Sequence, residues 1–431
     1  MSVRMHKIAL LLICLACVGH GRRILSSMKR PLSSPRAESQ AVDATPSSFA
    51  KDRVSPLKAL SMILLRSNVA AAFNPSAGRN VEGQRRPGHR VSEVSMAGVR
   101  GARNARLVGI GSAAPEKRVP NAALEEVVET SDDWITQRTG IKSRHLLQKG
   151  ECLSDLASTA ASQALESAGV EAGEVDLVLL ATSSPDDLFG DAPTVARNIG
   201  AKNAVAFDLT AACSGFLFGV NTASQFLHTG AYKTVVVIGA DALSRWVDWT
   251  DRNTCVLFGD GAGAVVMRAT AEGEEPGILG FEMHSNGEGH PNLNLEYNGD
   301  ERALASIGSV TSGAYNTIAM NGKEVYKFAT SSAPSVVKEA LENAGVTADQ
   351  VDWLLLHQAN VRIMETVAKK LKIPMEKVIT NLDEYGNTSA GSIPLALNEA
   401  VKSGKVKPGD TIAVAGFGAG LSWGAAVIKW G

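Results

Sequence analysis

The stretch "DLTAACSGFLFG", Asp208 to Gly219, sets a single thiol, Cys213, among small residues where an apolar helix begins. A cysteine attacks as its thiolate, and the partial positive charge at a helix N-terminus lowers the thiol pKa, so Cys213 is a candidate nucleophile. Free cysteine is also among the most buried residue types, and a small core filler is the competing reading. Two other polar residues stand at comparable places. His357 ends the apolar run "DWLLLH", and Asn387 lies in "EYGNTSAG" at the mouth of a second helix. A histidine ending a buried strand can be merely a backbone hydrogen-bond partner, and an Asn after Gly is often a turn or cap residue. Their meaning depends on whether the chain brings all three together. The other cysteines carry less: Cys152 is expected near the surface of a loop, and Cys255 in an apolar strand, "TCVLFG". The set has neither a disulfide framework nor metal-ligand spacing, so no metal is expected. "FGDGAGA" at 258–264 resembles a dinucleotide fingerprint, but Ala264 stands where its last glycine belongs and a strand follows in place of a helix.

The elements that must position these residues alternate along the chain. "ARLVGIGS" reads as a strand, and "SDDWITQRTG" as a short helix capped by Ser131 and stopped at Gly140. "SDLASTAASQALESAG" has helical periodicity, with Ser154 as N-cap and Gly169 as stop, and leads into the apolar strand "VDLVLLATS". "AVAFDL", the Cys213 segment and "TVVVIGAD" repeat strand, helix, strand. The pattern is α/β with strands buried on both faces.

The pattern also repeats in sequence. "ALESAGVEAGEVDLVLLA" at 164–181 aligns without a gap on "ALENAGVTADQVDWLLLH" at 340–357, with 11 of 18 positions identical. A helix, a Gly stop and a buried strand recurring at a fixed offset of 176 residues imply a duplicated domain. "HTGAYKTVVVIGAD" has a weaker counterpart in "KSGKVKPGDTIAVAGFG". The same offset sets Cys213 opposite Ser389, so "AACSGF" and "NTSAGS" are expected to open the central helices of two halves, 104–275 and 276–431. Helices rich in Ala, Ser and Gly can pack closely between two sheets. A pseudo-twofold axis between such halves would bring Cys213, His357 and Asn387 to one centre.

Residues 1–103 are of another kind. They hold 17 basic and 5 acidic residues, a charge of +12, against −13 for the remaining 26 basic and 39 acidic residues. Segment 1–21 has Arg4 and Lys7 ahead of a short apolar run, Ile8 to Val18, which is signal-peptide anatomy and shorter than the roughly 20 residues of a membrane span. Segment 22–103 is rich in Arg and Ser and poor in acids, like a plastid transit peptide. An apolar patch at Ala59–Leu65 leaves the cleavage point open. Together they read as a bipartite leader for a complex plastid, ending in its stroma. A disordered arm with an accidental apolar run is the alternative.

At this point the sequence resembles the thiolase-fold condensing enzymes, and among them the β-ketoacyl-[acyl-carrier-protein] synthase III family. The motifs that carry the resemblance are "DLTAACSGF", "LLHQAN", "YGNTSAG", "TSDDWITQRTGI", "TDRNTCVLFGDGAGA" and the terminal "GFGAGLSWG", spread over about 104–431. "DLTAACSGF" with "LFGDAP" upstream is similar to the plant and algal branch. The resemblance implies a thiolase-like fold of two βαβαβαββ halves in five layers, αβαβα. It implies a catalytic triad of Cys213, His357 and Asn387, with backbone N–H groups of Cys213 and Ala419 as the oxyanion donors. Many relatives have Gly at that last position, and a backbone donor tolerates Ala.

The resemblance also implies a reaction without metal or redox cofactor: acyl transfer from acyl-CoA, with acetyl-CoA as the expected primer, then decarboxylative Claisen condensation with malonyl-[acyl-carrier protein]. Trp134 and Arg138 would flank the CoA adenine, with Arg252 near the nucleotide. Lys327, Arg362, Lys369 and Lys370 would form a basic docking face for the acidic carrier protein, the last three on one side of one helix. Phe189 would limit acyl length from the interface of a homodimer. No nucleic acid is expected as partner, and no membrane after processing. A thiolase, a polyketide-type synthase and a catalytically silent carrier-binding scaffold remain alternatives. A thiolase would favour a second cysteine in the C-terminal half, where the sequence has none.

Overall fold

Strands buried on both faces need helices on either side, and the chain meets that need twice. In a computed structural model of the chain, residues 104–271 and 273–431 are described; the leader segments 1–21 and 22–103 lie outside these. The first half runs β1 (Ala105–Ala113), α1 (Asp132–Thr139), α2 (Leu153–Ala168), β2 (Leu177–Ala181), α3 (Ala192–Asn198), β3 (Val205–Leu209), α4 (Gly215–His228), β4 (Thr234–Ala242) and β5 (Asp260–Ala269). The second runs β6 (Ile278–Ser285), α5 (Gly322–Ala344), β7 (Trp353–Leu356), α6 (Val361–Leu371), β8 (Val378–Ile379), α7 (Ser392–Lys402), β9 (Thr411–Gly418) and β10 (Ser422–Lys429). With α1 set aside as an addition, both are βαβαβαββ.

Each half forms one five-stranded sheet. Their orders, β3-β2-β4-β5-β1 and β8-β7-β9-β10-β6, correspond strand for strand. In both, two pairings are parallel and two antiparallel, so a single strand, β5 or β10, runs against the other four. Side chains alternate across β2 and β7. Leu177 and Leu179 join the core between the sheets with Leu355, whereas Val178 and Leu180 face an outer layer on one side and Leu354 and Leu356 an outer layer on the other. Helices α4 and α7 fill the middle, α2 covers the first sheet, and α5 and α6 cover the second. The five layers are therefore αβαβα.

The repeated sequence produces repeated detail. Gly169 and Gly345 end α2 and α5 in left-handed conformation, φ 59° and 65°, where an L side chain is disfavoured. Each is followed by a short turn closed by a reciprocal capping box, Glu171 with Glu174 and Thr347 with Gln350.

Three local expectations need correction. The N-cap of α2 is Cys152, not Ser154; the free N–H groups of Leu153 and Ser154 donate instead to the Asp186 carboxylate, at 3.1 and 2.9 Å. A carboxylate reaching in from another loop serves a helix N-terminus as well as a local cap does. Cys255 lies in a helical turn, Arg252–Cys255, capped by Asp251, and not in a strand; it is fully buried, as its apolar surroundings required. Finally, the offset slips by one residue after β2. Leu177 pairs with Val235 and Trp353 with Ile412, which sets β9 177 residues after β4.

Candidate active site

Cys213 sits in the turn Ala212–Ser214, immediately before α4, and its counterpart turn, Ser389–Gly391, precedes α7. The first residue of each is held at positive φ, 47° for Ala212 and 50° for Ser389. Such non-glycine conformations cost on the order of 1–3 kcal/mol and persist only where the surroundings impose them. With the slipped offset, the structural counterpart of Cys213 is Ala390, one residue beyond the position that the sequence repeat indicates. The close contacts agree: a side chain on Gly239 would meet the Ala390 carbonyl, and one on its counterpart Gly416 would lie 3.6 Å from the Cys213 carbonyl. Ser389 nevertheless reaches the thiol directly, its Oγ donating to Cys213 Sγ at 3.4 Å.

Cys213 is 7 % exposed. Burial pushes its thiol up to about 12, with the Asp241 carboxylate adding to the rise and the Ser389 hydrogen bond opposing it. The lowering expected from the helix N-terminus is thus outweighed, because removing a charge from water costs more than a terminal dipole returns.

His357 follows directly on β7, where its backbone N–H donates to Ala415 O at 2.8 Å. Its ring packs edge-on against Phe417, 5.3 Å between centroids, and Nδ1 has no hydrogen-bond partner among the described residues. Burial holds this imidazole down to about 3, so it is neutral. Asn387 is fixed by backbone pairing: its N–H donates to Leu257 O at 2.8 Å, and its carbonyl accepts from Gly259 N at 3.0 Å. Its side-chain Oδ1 accepts from Ser389 N at 2.9 Å, which leaves the Nδ2 donor for the space beyond. Fully buried Arg144 supports this loop, with Nη2 donating to Val256 O at 2.6 Å and Nη1 to Asn121 Oδ1 at 2.8 Å.

Cys213, His357 and Asn387 all line one cavity of about 2130 Å³. Ala419 lines it too, at the end of β9. The preceding residue, Gly418, packs so tightly on the Cys213 turn that a side chain there would lie 2.9 Å from both Cβ and N of Cys213. The cavity is also lined by Trp134, Arg138 and Arg252. The two guanidinium groups stack on the Trp134 ring at 4.8 and 4.6 Å from its centroid. Helix α1 presents Trp134 and Arg138 through the predicted caps: Ser131 Oγ accepts from Trp134 N at 3.1 Å, and Gly140 ends the helix.

The basic residues divide. Arg362 lines the cavity and donates from Nη2 to Gln137 O at 2.7 Å, whereas Lys327, Lys369 and Lys370 lie outside it on α5 and α6. Lys370 Nζ donates to Thr330 O at 2.8 Å and Lys327 lies 3.7 Å from Glu324. Phe189 is 98 % exposed, on the cavity's rim.

One residue close to Cys213 was missed in the sequence. Asp241, near the end of β4, is fully buried and is the counterpart of Gly418. Its Oδ2 accepts from Ala390 N at 3.1 Å. A carboxylate thus occupies the N–H of the second turn, and at the corresponding N–H of Cys213 the glycine supplies no side chain. The signal in the sequence was an acid at the end of an otherwise apolar strand.

Comparison with known proteins agrees with this architecture. Residues 207–287 match the family profile described as 3-oxoacyl-[acyl-carrier-protein (ACP)] synthase III, and 341–430 that of its C-terminal part. The curated β-ketoacyl-[acyl-carrier-protein] synthase III of Acaryochloris marina is 58% identical over 324 residues, 75% of this chain and 97% of that protein. The crystal structure of 3-oxoacyl-[acyl-carrier-protein] synthase III from Aquifex aeolicus superposes with a TM-score of 0.69 at 43% identity, covering 76% of this chain and 100% of the other. A priming β-ketosynthase from the R1128 polyketide biosynthetic pathway superposes at 0.70 with 32% identity, over 80% and 99%. With the duplicated fold, the shared cavity and identity running through nearly the whole length of its relatives, the chain belongs to the β-ketoacyl-[acyl-carrier-protein] synthase III family.

Proposed function

We propose that this chain starts fatty acid synthesis by condensing an acyl-CoA with malonyl-[acyl-carrier protein], releasing CoA and carbon dioxide and leaving a 3-ketoacyl-[acyl-carrier protein]. The observation that carries the reading is the single cavity lined by Cys213, His357 and Asn387 at one part and by Trp134, Arg138 and Arg252 at another. Acyl-CoA enters with its nucleotide against the Trp134 and arginine cluster. Cys213 attacks the thioester carbonyl, giving a thioester of similar energy that holds the acyl group without trapping it. Because the free thiol is protonated at neutral pH, its proton leaves in step with the attack.

Malonyl-carrier protein then replaces CoA. Loss of carbon dioxide leaves an enolate whose oxygen needs donors in a dry site, and neutral His357 and the Asn387 amide supply them. A buried imidazolium would not persist there, and an amide cannot become anionic. The enolate carbon attacks the acyl-Cys213 carbonyl. The oxyanion that forms is met by the N–H groups of Cys213 and Ala419, which Gly418 leaves uncovered. The carrier protein docks on α5 and α6, where Lys327 and Lys369 are exposed and Arg362 leads into the cavity. A homodimer would bring the partner's Phe189 to bear on acyl length.

The 1–103 leader would deliver the chain to a plastid. Its composition supports this, as do cyanobacterial relatives that align over 75% of the chain and 97% of their own length. Mass spectrometry after incubation with acyl-CoAs of increasing length tests the nucleophile and the primer together. The acyl mass is expected on the Cys213 peptide and, for Cys213→Ala, on no peptide, with condensation lost. Acylation of Cys152 or Cys255, or condensation that survives Cys213→Ala, would refute the assignment.

A further inference from the structure

Two donors can hold one enolate oxygen only if their spacing is fixed, because a misplacement near 1 Å costs roughly 100-fold in rate. His357 and Asn387 stand on separate segments, the first just past β7 and the second just past the helical turn Leu382–Tyr385. Behind them a chain of polar contacts joins those segments. Gln358, buried beside His357, donates from Nε2 to Leu356 O at 2.6 Å and accepts at Oε1 from Asn381 N at 3.2 Å. Asn381 opens the turn, and its carbonyl accepts from Glu384 N at 3.1 Å and from Tyr385 N at 3.3 Å. Its Nδ2 donates to Glu399 Oε2 at 3.0 Å, and Tyr385 Oη, from the last residue of the turn, donates to Glu399 Oε1 at 2.6 Å. One carboxylate on α7 therefore holds both ends of the turn. No cation pairs with Glu399 among the described residues, and both its oxygens serve this turn. Beyond Tyr385 the chain has little play: a side chain on Gly386 would meet Leu257 O at 2.7 Å, the carbonyl to which Asn387 N is bonded.

We propose that Glu399 is a positioning residue for enolate formation: by clamping both ends of the turn Leu382–Tyr385, which Asn381 and Gln358 tie to the end of β7, it holds the Asn387 amide at its distance from the His357 ring. This rests on the reading of those two groups as the donors to the enolate. Glu399 lies outside the cavity and acts through the turn. Acylation of Cys213 calls on neither donor, so loosening the clamp slows one half-reaction only. The contacts also separate a clamp from a charge. Glu399→Gln can keep both, its oxygen accepting from Asn381 Nδ2 and its amide N–H donating to Tyr385 Oη, whereas Glu399→Ala keeps neither.

The test measures the two half-reactions of the full chain separately, CoA release from acetyl-CoA for acylation and carbon dioxide release from malonyl-carrier protein for decarboxylation. Glu399→Ala is expected to lose decarboxylation by about 100-fold, the scale of a 1 Å misplacement, while acylating at close to the wild-type rate. Glu399→Gln should stay close to wild type in both. Tyr385→Phe, which removes one of the two contacts, should lose decarboxylation by about tenfold, and it keeps the test intact if Glu399→Ala does not fold. In the Asn387→Ala background neither Glu399→Ala nor Tyr385→Phe should slow decarboxylation further, because residues that act as a unit are not additive. Unchanged decarboxylation in Glu399→Ala and Tyr385→Phe, equal loss of both half-reactions, Glu399→Gln as slow as Glu399→Ala, or a further loss in the Asn387→Ala background would each overturn the clamp. Decarboxylation that survives Asn387→Ala alone overturns instead the assignment on which the clamp rests.

Discussion

The two halves share one backbone plan, and three positions at which their side chains differ line up around one cavity. At the end of β2 the first half has Ala181, and just past β7 the second has His357. At the turn before the middle helix the first has Cys213 and the second Ala390, each preceded by a residue at positive φ. Near the end of the next strand the first has Asp241 and the second Gly418. In every pair one member is reactive and the other small. Duplication supplies two equivalent polar turns facing one axis. Specialisation then fills one turn's N–H with a carboxylate, at Ala390, and keeps a side chain away from the other, at Cys213.

The sharpest way to break this asymmetry is to fill the small member. Gly418→Ala would place a Cβ 2.9 Å from Cys213 N and Cβ, so the Cys213 turn must shift. Overpacking of this kind costs about 1–3 kcal/mol of stability, and a displacement near 1 Å at reacting atoms costs roughly 100-fold in rate. Condensation is expected to fall by about that factor while thermal unfolding shows a folded protein; unchanged kcat would show that the contact has no bearing on the site.

A smaller effect is expected outside the cavity. Lys369→Glu reverses an exposed charge on α6, and should raise the KM for carrier protein about fivefold at low salt, the scale of one exposed ion pair. Added salt should narrow the gap, and the KM for acyl-CoA should not move. A carrier KM that is unchanged, or changed equally at all salt concentrations, would remove Lys369 from the docking face. The smallest effect concerns pH. Burial lowers His357 from the ordinary imidazole value to about 3, so the ring is protonated only below that point and is neutral above it. Carbon dioxide release from malonyl-carrier protein should therefore be flat from about pH 5 to 8. A titration near 6.5 would mean that the imidazole is hydrated or paired and charges where substrate binds.

Much of this was legible in the sequence because duplication writes itself there. The repeat at 164–181 and 340–357, the helix limits Ser131 and Gly140, and the small-residue turns around Cys213 and Ser389 follow from local pattern and appear in the structure. What was not legible depends on contacts between distant segments. Asp186 replaces a local cap for α2, and nothing near Ser154 announces it. The one-residue slip that makes Ala390 the counterpart of Cys213 arises in loops, where no repeat is visible. The net rise of the Cys213 thiol needs the depth of its burial, which residue type does not give. Lys370 and Arg362 looked equivalent to Lys369 by helical spacing, yet their heads are held by the carbonyls of Thr330 and Gln137.

The central claim is that one cavity separates two half-reactions between two halves of a duplicated chain, acyl transfer at Cys213 and enolate formation at His357 and Asn387. Measuring the halves separately in His357→Ala and Asn387→Ala tests it most directly, with CoA release reporting acylation and carbon dioxide release reporting decarboxylation. Both variants are expected to acylate Cys213 within about tenfold of wild type and to lose decarboxylation by about 100-fold or more, the scale of a lost oxyanion donor. Equal loss of both half-reactions, or decarboxylation that survives either substitution, would contradict the account.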